Sequence, residues 1–135
     1  MLIDFKDEDF ENKIKEEPVS VIQFSATWCG PCKTLKPVMD KLSDEYKDRA
    51  NFYITDIEDS GINTGSSAGI RGVPTVIVYK KGVEIDRKVG GVPESHMKEF
   101  LDKNIQFKLN TSAAPYKDPV INKRSPSFKS IDLIA

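Results

Sequence analysis

Two residues of this 135-residue chain have a type and spacing that can do redox chemistry: Cys29 and Cys32, its only cysteines. They lie in the run Trp28-Cys29-Gly30-Pro31-Cys32-Lys33. A pair this close in sequence closes too short a loop to brace a fold, so its purpose is local. Hydrophobic patterning places the run where a strand ends and a long helix begins. A cysteine at a helix N-terminus faces unpaired backbone N–H groups and the positive end of the helix dipole, which favour thiolate over thiol. The thiolate is the nucleophile of disulfide exchange. The two-residue spacing on a helical turn brings the second sulfur within reach of a mixed disulfide formed at the first. Gly30 allows a tight turn and Pro31 stiffens the helix entry. Cys29 is expected to be the exposed sulfur, because Cys32 lies one turn into the helix.

Other uses of such a pair fit less well. A zinc site needs further ligands, and the chain has no second cysteine pair and one histidine, His96. Two buried structural thiols are the remaining non-redox reading. The motif, its strand-to-helix setting and the lack of other cysteines together favour a redox dithiol.

The elements that must position this pair alternate along the chain. Asp7 suits the N-cap of a short helix with Phe10 and Ile14 on one face. Val19 to Ser25 is apolar and β-branched enough for a central strand with both faces covered. Leu35, Val38, Met39, Leu42 and Tyr46 form the inward stripe of a helix running from Pro31 to about Arg49, and Pro37 should bend it. Phe52–Ile57 is a further strand. Pro74–Lys80 and Val83–Val89 flank Lys81-Gly82 and predict a hairpin. Pro93 suits a first helical turn, followed by Met97, Phe100, Leu101 and Ile105 at helical spacing. Asp56, Glu58, Ser60 and Gly61 superficially copy the start of a calcium loop, but the position that needs Glu holds Ser67, so a solvated loop is the better reading. His96 is expected at the surface.

At Trp28–Lys33 the chain resembles the thioredoxin family, whose WCGPCK motif it reproduces intact. Ile70-Arg71-Gly72-Val73-Pro74-Thr75 is similar to the family's cis-proline loop, and Val89-Gly90-Gly91 to its third substrate-groove segment. The resemblance covers about residues 1–106. It implies an α/β thioredoxin fold, a central mixed sheet flanked by helices, and a protein disulfide reductase working without cofactor or metal. It also implies Cys29 as attacking thiolate, Cys32 as resolving thiol, and supporting places for Gly30, Pro31 and Lys33. Trp28, Ile57, Gly72, Val73, Pro74, Gly90 and Gly91 would form the substrate groove. A cis bond is affordable at proline, and before Pro74 it would expose the Val73 backbone to an extended substrate. The implied partners are disulfide-containing proteins and a thioredoxin reductase. A non-enzymatic binding subunit, such as a polymerase processivity partner, and a disulfide oxidase or isomerase are the alternative functions.

The chain departs from the family at a pair of positions that act together. Where thioredoxins usually carry a carboxylate, five residues before the motif's Trp, this sequence has Gln23. The lysine that pairs with that acid is replaced by Ile54 or Thr55, depending on where a one-residue insertion falls. Loss of both charges together is coherent, because one left alone in the interior is costly. A glutamine cannot titrate, so the substitution predicts a working dithiol with slower resolution by Cys32 and a domain relieved of a buried charge. Water or Lys33 as the base is the competing reading.

Composition bounds the rest. The chain has 20 Lys+Arg against 21 Asp+Glu, a net charge of -1, which argues against direct nucleic-acid binding through a broad basic face. No apolar stretch is long enough to span a bilayer. The acidic residues Asp4, Asp7, Glu8 and Asp9 stand where a signal peptide would be basic and then apolar, so a cytoplasmic location is expected, and one core with no long apolar seam favours a monomer. Residues 107–135 hold five basic and two acidic residues, a net of +3, which leaves -4 for the rest. With Pro115, Pro119 and Pro126 and no clear period, they are read as an extension whose Phe128, Ile131, Leu133 and Ile134 could pack on the domain or a partner.

Overall fold

Strand Ser20–Ser25 (β2) is apolar at consecutive positions because both its faces are covered. Val21 joins a core that includes Phe52, Val76 and Val78 of neighbouring strands and the helical residues Leu35, Met39, Leu42, Met97 and Leu101. Ile22 and Phe24 point the other way, into a second core with Phe5, Ile14, Tyr53, Ile77 and Tyr79. This computed structural model describes residues 1–105; the extension, with its candidate packing residues Phe128, Ile131, Leu133 and Ile134, lies outside them.

The chain builds a five-stranded mixed sheet in the order β1-β3-β2-β4-β5, with β1 at Ile3–Asp4, β3 at Asn51–Asp56, β4 at Thr75–Lys80 and β5 at Val83–Val89. β3 runs parallel to both β1 and β2, whereas β2/β4 and β4/β5 are antiparallel. Helices α1 (Gly30–Glu45) and α3 (Glu94–Asn104) supply the helical side of the first core. Helix α2 (Ile62–Ala68) and a π-helical segment at Phe10–Ile14 contribute Ala68, Phe10 and Ile14 to the second. The parallel β2/β3 pair requires a crossover, and α1 provides it.

Several expectations hold. β2, β3, β4, β5 and α3 fall within a residue or two of the predicted spans; α1 starts as predicted with Pro37 inside it but ends at Glu45, four residues short of Arg49. Lys81 and Gly82 have φ of 52° and 80°, the positive pair that a two-residue type I′ hairpin turn requires. His96 is exposed on α3.

Three expectations need correction. Asp7 does not cap the Phe10–Ile14 segment, which starts after Asp9 with no side-chain cap. Its carboxylate instead accepts from the backbone N–H groups of Asn63 at 3.0 Å and Thr64 at 2.9 Å, and from the Thr64 hydroxyl at 2.8 Å. Asp7 is thus a cap for α2, delivered from another part of the chain. Residues 56–67 are only in part a solvated loop, because α2 begins at Ile62 and Ser67 lies within it. The α2 sequence INTGSSA has too little apolar periodicity to announce a helix. The third correction concerns Cys29.

α1 and α3 are also tied by polar contacts. The Tyr46 hydroxyl donates to Asp102, Lys98 Nζ reaches Glu45 at 3.1 Å, and Lys41 Nζ reaches Glu94 at 2.7 Å. Burial and the carboxylate of Asp102 push the Tyr46 phenol up to about 12, so it remains a donor throughout the neutral range.

Candidate active site at the start of the first long helix

Ser25 ends the central strand and Gly30 begins α1, leaving Ala26–Cys29 to make the connection. Cys29 is the N-cap residue of this 16-residue helix, and Pro31 occupies its first turn. Cys29 and Cys32 are joined as a disulfide with Cα atoms 5.3 Å apart. The Cys29 sulfur accepts a hydrogen bond from the Cys32 backbone N–H at 3.1 Å. The first cysteine therefore occupies the position at which side-chain acceptors satisfy a helix's orphan N–H groups.

Cys29 is not the exposed member of the pair. Both sulfurs belong to buried residues, each 3% accessible, in a small cluster with Ala26, against which Val73 packs. The N-cap bond draws the Cys29 side chain inward over the helix start, and the Val73 side chain limits solvent contact. Trp28 is the exposed neighbour instead, at 66% accessibility, and its indole N–H donates to Glu58 Oε1 at 2.9 Å.

The Val73–Pro74 peptide is cis. The Pro74 carbonyl accepts from Gly90 N–H at 2.8 Å, linking this loop to the end of β5. Gly91 comes close to Pro31: a Cβ added there would stand 3.2 Å from the proline's own Cβ. Val73, Pro74, Gly90 and Gly91 are thus gathered beside the cysteines and Pro31. Gly72 stands at the exposed start of the same loop and its carbonyl accepts from the Thr75 hydroxyl at 2.7 Å. Ile57 is half-buried against the second core, and Gly65 of α2 packs close to its side chain. Lys33 and Gly30 are exposed on the first turn of α1.

Gln23 is completely buried on β2. Its partners across the sheet are Ile54 on one side and Val76 on the other, so the residue facing it on β3 is Ile54 rather than Thr55. Its amide nitrogen donates to Ser25 Oγ at 3.0 Å and to the Cys32 carbonyl at 3.4 Å, while its oxygen has no partner. Gln23 therefore touches the backbone of the second cysteine from below α1. Beside it, a cavity of about 480 Å³ opens along Ser25, Cys32, Lys33, Lys36 and Thr55.

Sequence reasoning missed two residues that support this geometry. Ser25 follows Gln23 on the same strand face, so strand alternation could have found it. Glu58 meets Trp28 only through the loop after β3, and no local signal announces that contact.

A thioredoxin family model matches residues 1–103, nearly the whole described region. The chain belongs to the thioredoxin family. It is 36% identical over 104 residues to a thioredoxin of Staphylococcus epidermidis, an alignment covering 77% of this chain and 98% of that protein. A thioredoxin of Staphylococcus aureus is 35% identical over the same length, with the same coverage. Family membership and the bonded cysteine pair make the protein an oxidoreductase that reduces protein disulfides, with disulfide-containing substrates and a reductase as its general class of partners. Among the described residues, no helix is long and apolar enough to cross a membrane.

Proposed function

We propose that Cys29 is the attacking thiolate and Cys32 the resolving thiol of this thioredoxin-family reductase. The observation that carries the assignment is the N–H of Cys32 aimed at the Cys29 sulfur, 3.1 Å away at the N-terminus of α1. A backbone donor and the helix dipole both favour negative charge on that sulfur. Cys29 thiolate attacks one sulfur of a substrate disulfide, forming a mixed disulfide and releasing the other sulfur as thiolate. Cys32, once deprotonated, attacks the Cys29 sulfur; the Cys29–Cys32 disulfide forms and the second substrate sulfur leaves as thiolate. Two electrons pass to the substrate, and a thioredoxin reductase supplies two more to regenerate the cysteine pair.

Trp28, Ile57, Gly72, Val73, Pro74, Gly90 and Gly91 are proposed as the groove that receives the substrate. The packing of Val73 on the cysteine pair, the Gly90–Pro74 hydrogen bond and the close approach of Gly91 to Pro31 support this reading. An extended substrate segment would pair with the Val73 backbone. Gly30, Pro31 and Lys33 shape the helix start, and Gln23 stands in for the buried acid.

The reading extends to a reducing compartment, the cytoplasm, where a cysteine pair serves as reductant rather than brace. It also extends to a monomer, with residues 1–106 as the catalytic domain and 107–135 as an extension. Support for the monomer comes from the sheet edges: β1 has two residues, and β5 carries Glu84, Asp86, Arg87 and Lys88 with a register shift in its pairing to β4.

The test is reduction of insulin disulfides by dithiothreitol with each cysteine changed in turn. Cys32→Ser should accumulate a mixed disulfide through Cys29, whereas Cys29→Ser should form none. Accumulation of the adduct by Cys29→Ser instead would reverse the assignment.

A further inference from the structure

Three tyrosines lie among the described residues, and carboxylates engage the hydroxyls of two of them. Tyr46 donates to Asp102, and Tyr53 donates to Glu17 at 2.7 Å. Tyr79 is different. It is only 4% exposed, yet its hydroxyl makes no hydrogen bond with any described residue. Nor is that hydroxyl sealed in the interior, because the one sealed side-chain atom without a partner is Gln23 Oε1. Tyr79 opens instead onto a cavity of about 430 Å³, the size of a small-molecule site.

The cavity lies between the π-helical segment Phe10–Ile14, α2 and the β4/β5 hairpin. Its apolar part comes from Tyr79 and Phe10, whose rings meet edge to face at 5.3 Å, and from Ala68. The π-helical wall carries a bond from the Lys15 N–H to the Phe10 carbonyl at 3.1 Å, a widened turn that occurs frequently at functional sites. Neither cysteine borders the cavity, and neither do Trp28, Val73 and Pro74.

The charges on the wall select the occupant. Asp7, Glu11 and Glu84 outnumber Lys15, so an anion is repelled. A cation finds the carboxylates already engaged. Asp7 caps α2, Glu11 pairs with Lys15 at 2.9 Å, and Arg87 holds Glu84 at 2.6 and 2.7 Å. Burial and the nearby Glu84 push the Tyr79 phenol up to about 12, so it stays neutral and keeps a hydrogen to donate.

We propose that this cavity binds a small uncharged aromatic molecule whose carbonyl or ring nitrogen accepts from the Tyr79 hydroxyl while its ring lies against Phe10 and Ala68. Binding gives the hydroxyl the partner it lacks within the protein and removes apolar surface from water. A ring without an acceptor would close the cavity over an unpaired hydroxyl, and the site discriminates against it for that reason.

Benzamide is the probe, with toluene as a similar ring that offers no acceptor. In two-dimensional amide NMR spectra of the full chain, millimolar benzamide should shift the signals of Phe10, Ala68 and Gly82 saturably and leave those of Cys29 and Cys32 in place. Tyr79→Phe deletes only a hydroxyl with no bond to lose, so it should melt close to the parent. It should weaken benzamide about fivefold, the equivalent of one hydrogen bond, and leave toluene no weaker. Absence of saturable shifts across the millimolar range, or equal benzamide affinity in parent and Tyr79→Phe, would overturn the proposal. So would an equal loss for both molecules. Ala68→Leu fills the cavity from α2 without touching Tyr79, and it should abolish benzamide binding. Unchanged binding in that variant would put the molecule elsewhere and would also overturn the proposal.

Discussion

Two polar constructions lie near the ends of helices on opposite faces of the sheet, and they treat hydrogen bonds differently. At the start of α2, the Asp7 carboxylate accepts three hydrogen bonds, and Thr64 engages it through both its backbone and its hydroxyl. Below the start of α1, Gln23 uses its nitrogen twice and leaves its oxygen without a partner. The first arrangement is saturated and ties chain segments far apart in sequence. The second is incomplete and touches the cysteine whose protonation changes during reaction. Saturation suits a part that only has to stay in place, whereas the unsaturated amide lies against the backbone of a residue whose sulfur is bonded in one redox state and free in the other.

The largest effect that would sharpen this contrast is at Cys29. Cys29→Ser should lower protein disulfide reduction about 10³-fold or more, while the dithiothreitol-treated variant melts close to the reduced parent. Similar activity with Ser at this position would detach the chemistry from the site altogether.

Next comes Gln23→Asp, which restores a titratable group without the cation that would balance it, since Ile54 faces the site. A cost of about 2–4 kcal/mol at neutral pH is expected, together with faster resolution by Cys32. Burial raises the folded-state pKa of such a carboxyl above its unfolded value of about 3.9. The folded state then binds the extra proton, so the variant should lose stability relative to the parent as pH rises from about 4. A variant both more stable and no faster would remove any mechanistic meaning from the Gln.

Asp7→Ala should have a smaller effect on stability, about 1–2 kcal/mol, with little change in the redox potential. The pH dependence of the parent's Asp7 has the opposite sign to that of the engineered aspartate. Burial alone would raise the Asp7 pKa, but the hydrogen bonds from Thr64 and Asn63 outweigh it and hold the carboxyl below the ordinary value. Its contribution is therefore complete above the unfolded pKa of about 3.9 and is lost as pH falls through the lower folded value. Acid titration of the parent and of Asp7→Ala, followed by circular dichroism, checks this: the two stability curves should converge at low pH.

The smallest effect is expected at Glu58, which holds the exposed Trp28 indole at 2.9 Å. Glu58→Ala should change kcat/KM for a protein disulfide by about two- to threefold, the equivalent of one solvent-exposed hydrogen bond. A much larger loss would make the orientation of Trp28 part of the chemistry rather than of the surface around it.

The sequence alone was enough for the cysteine motif, the strand-to-helix setting, the hairpin with its positive-φ turn and most of the sheet, because each depends on spacing within a few residues. A run such as VIQF declares a strand covered on both faces, and the stripe from Leu35 to Tyr46 declares a helix with one apolar side. Tertiary structure decided what depends on distant partners. β1 is two residues long and exists because β3 offers it an edge, and α2 is a weak helix capped by an aspartate far away in the chain. It likewise decided that Cys29 is buried, that Glu58 holds Trp28, and that the Gln23 oxygen has no partner. Local periodicity reports which way a side chain points; only the folded chain settles which atoms meet it there, and which atom is left unpaired.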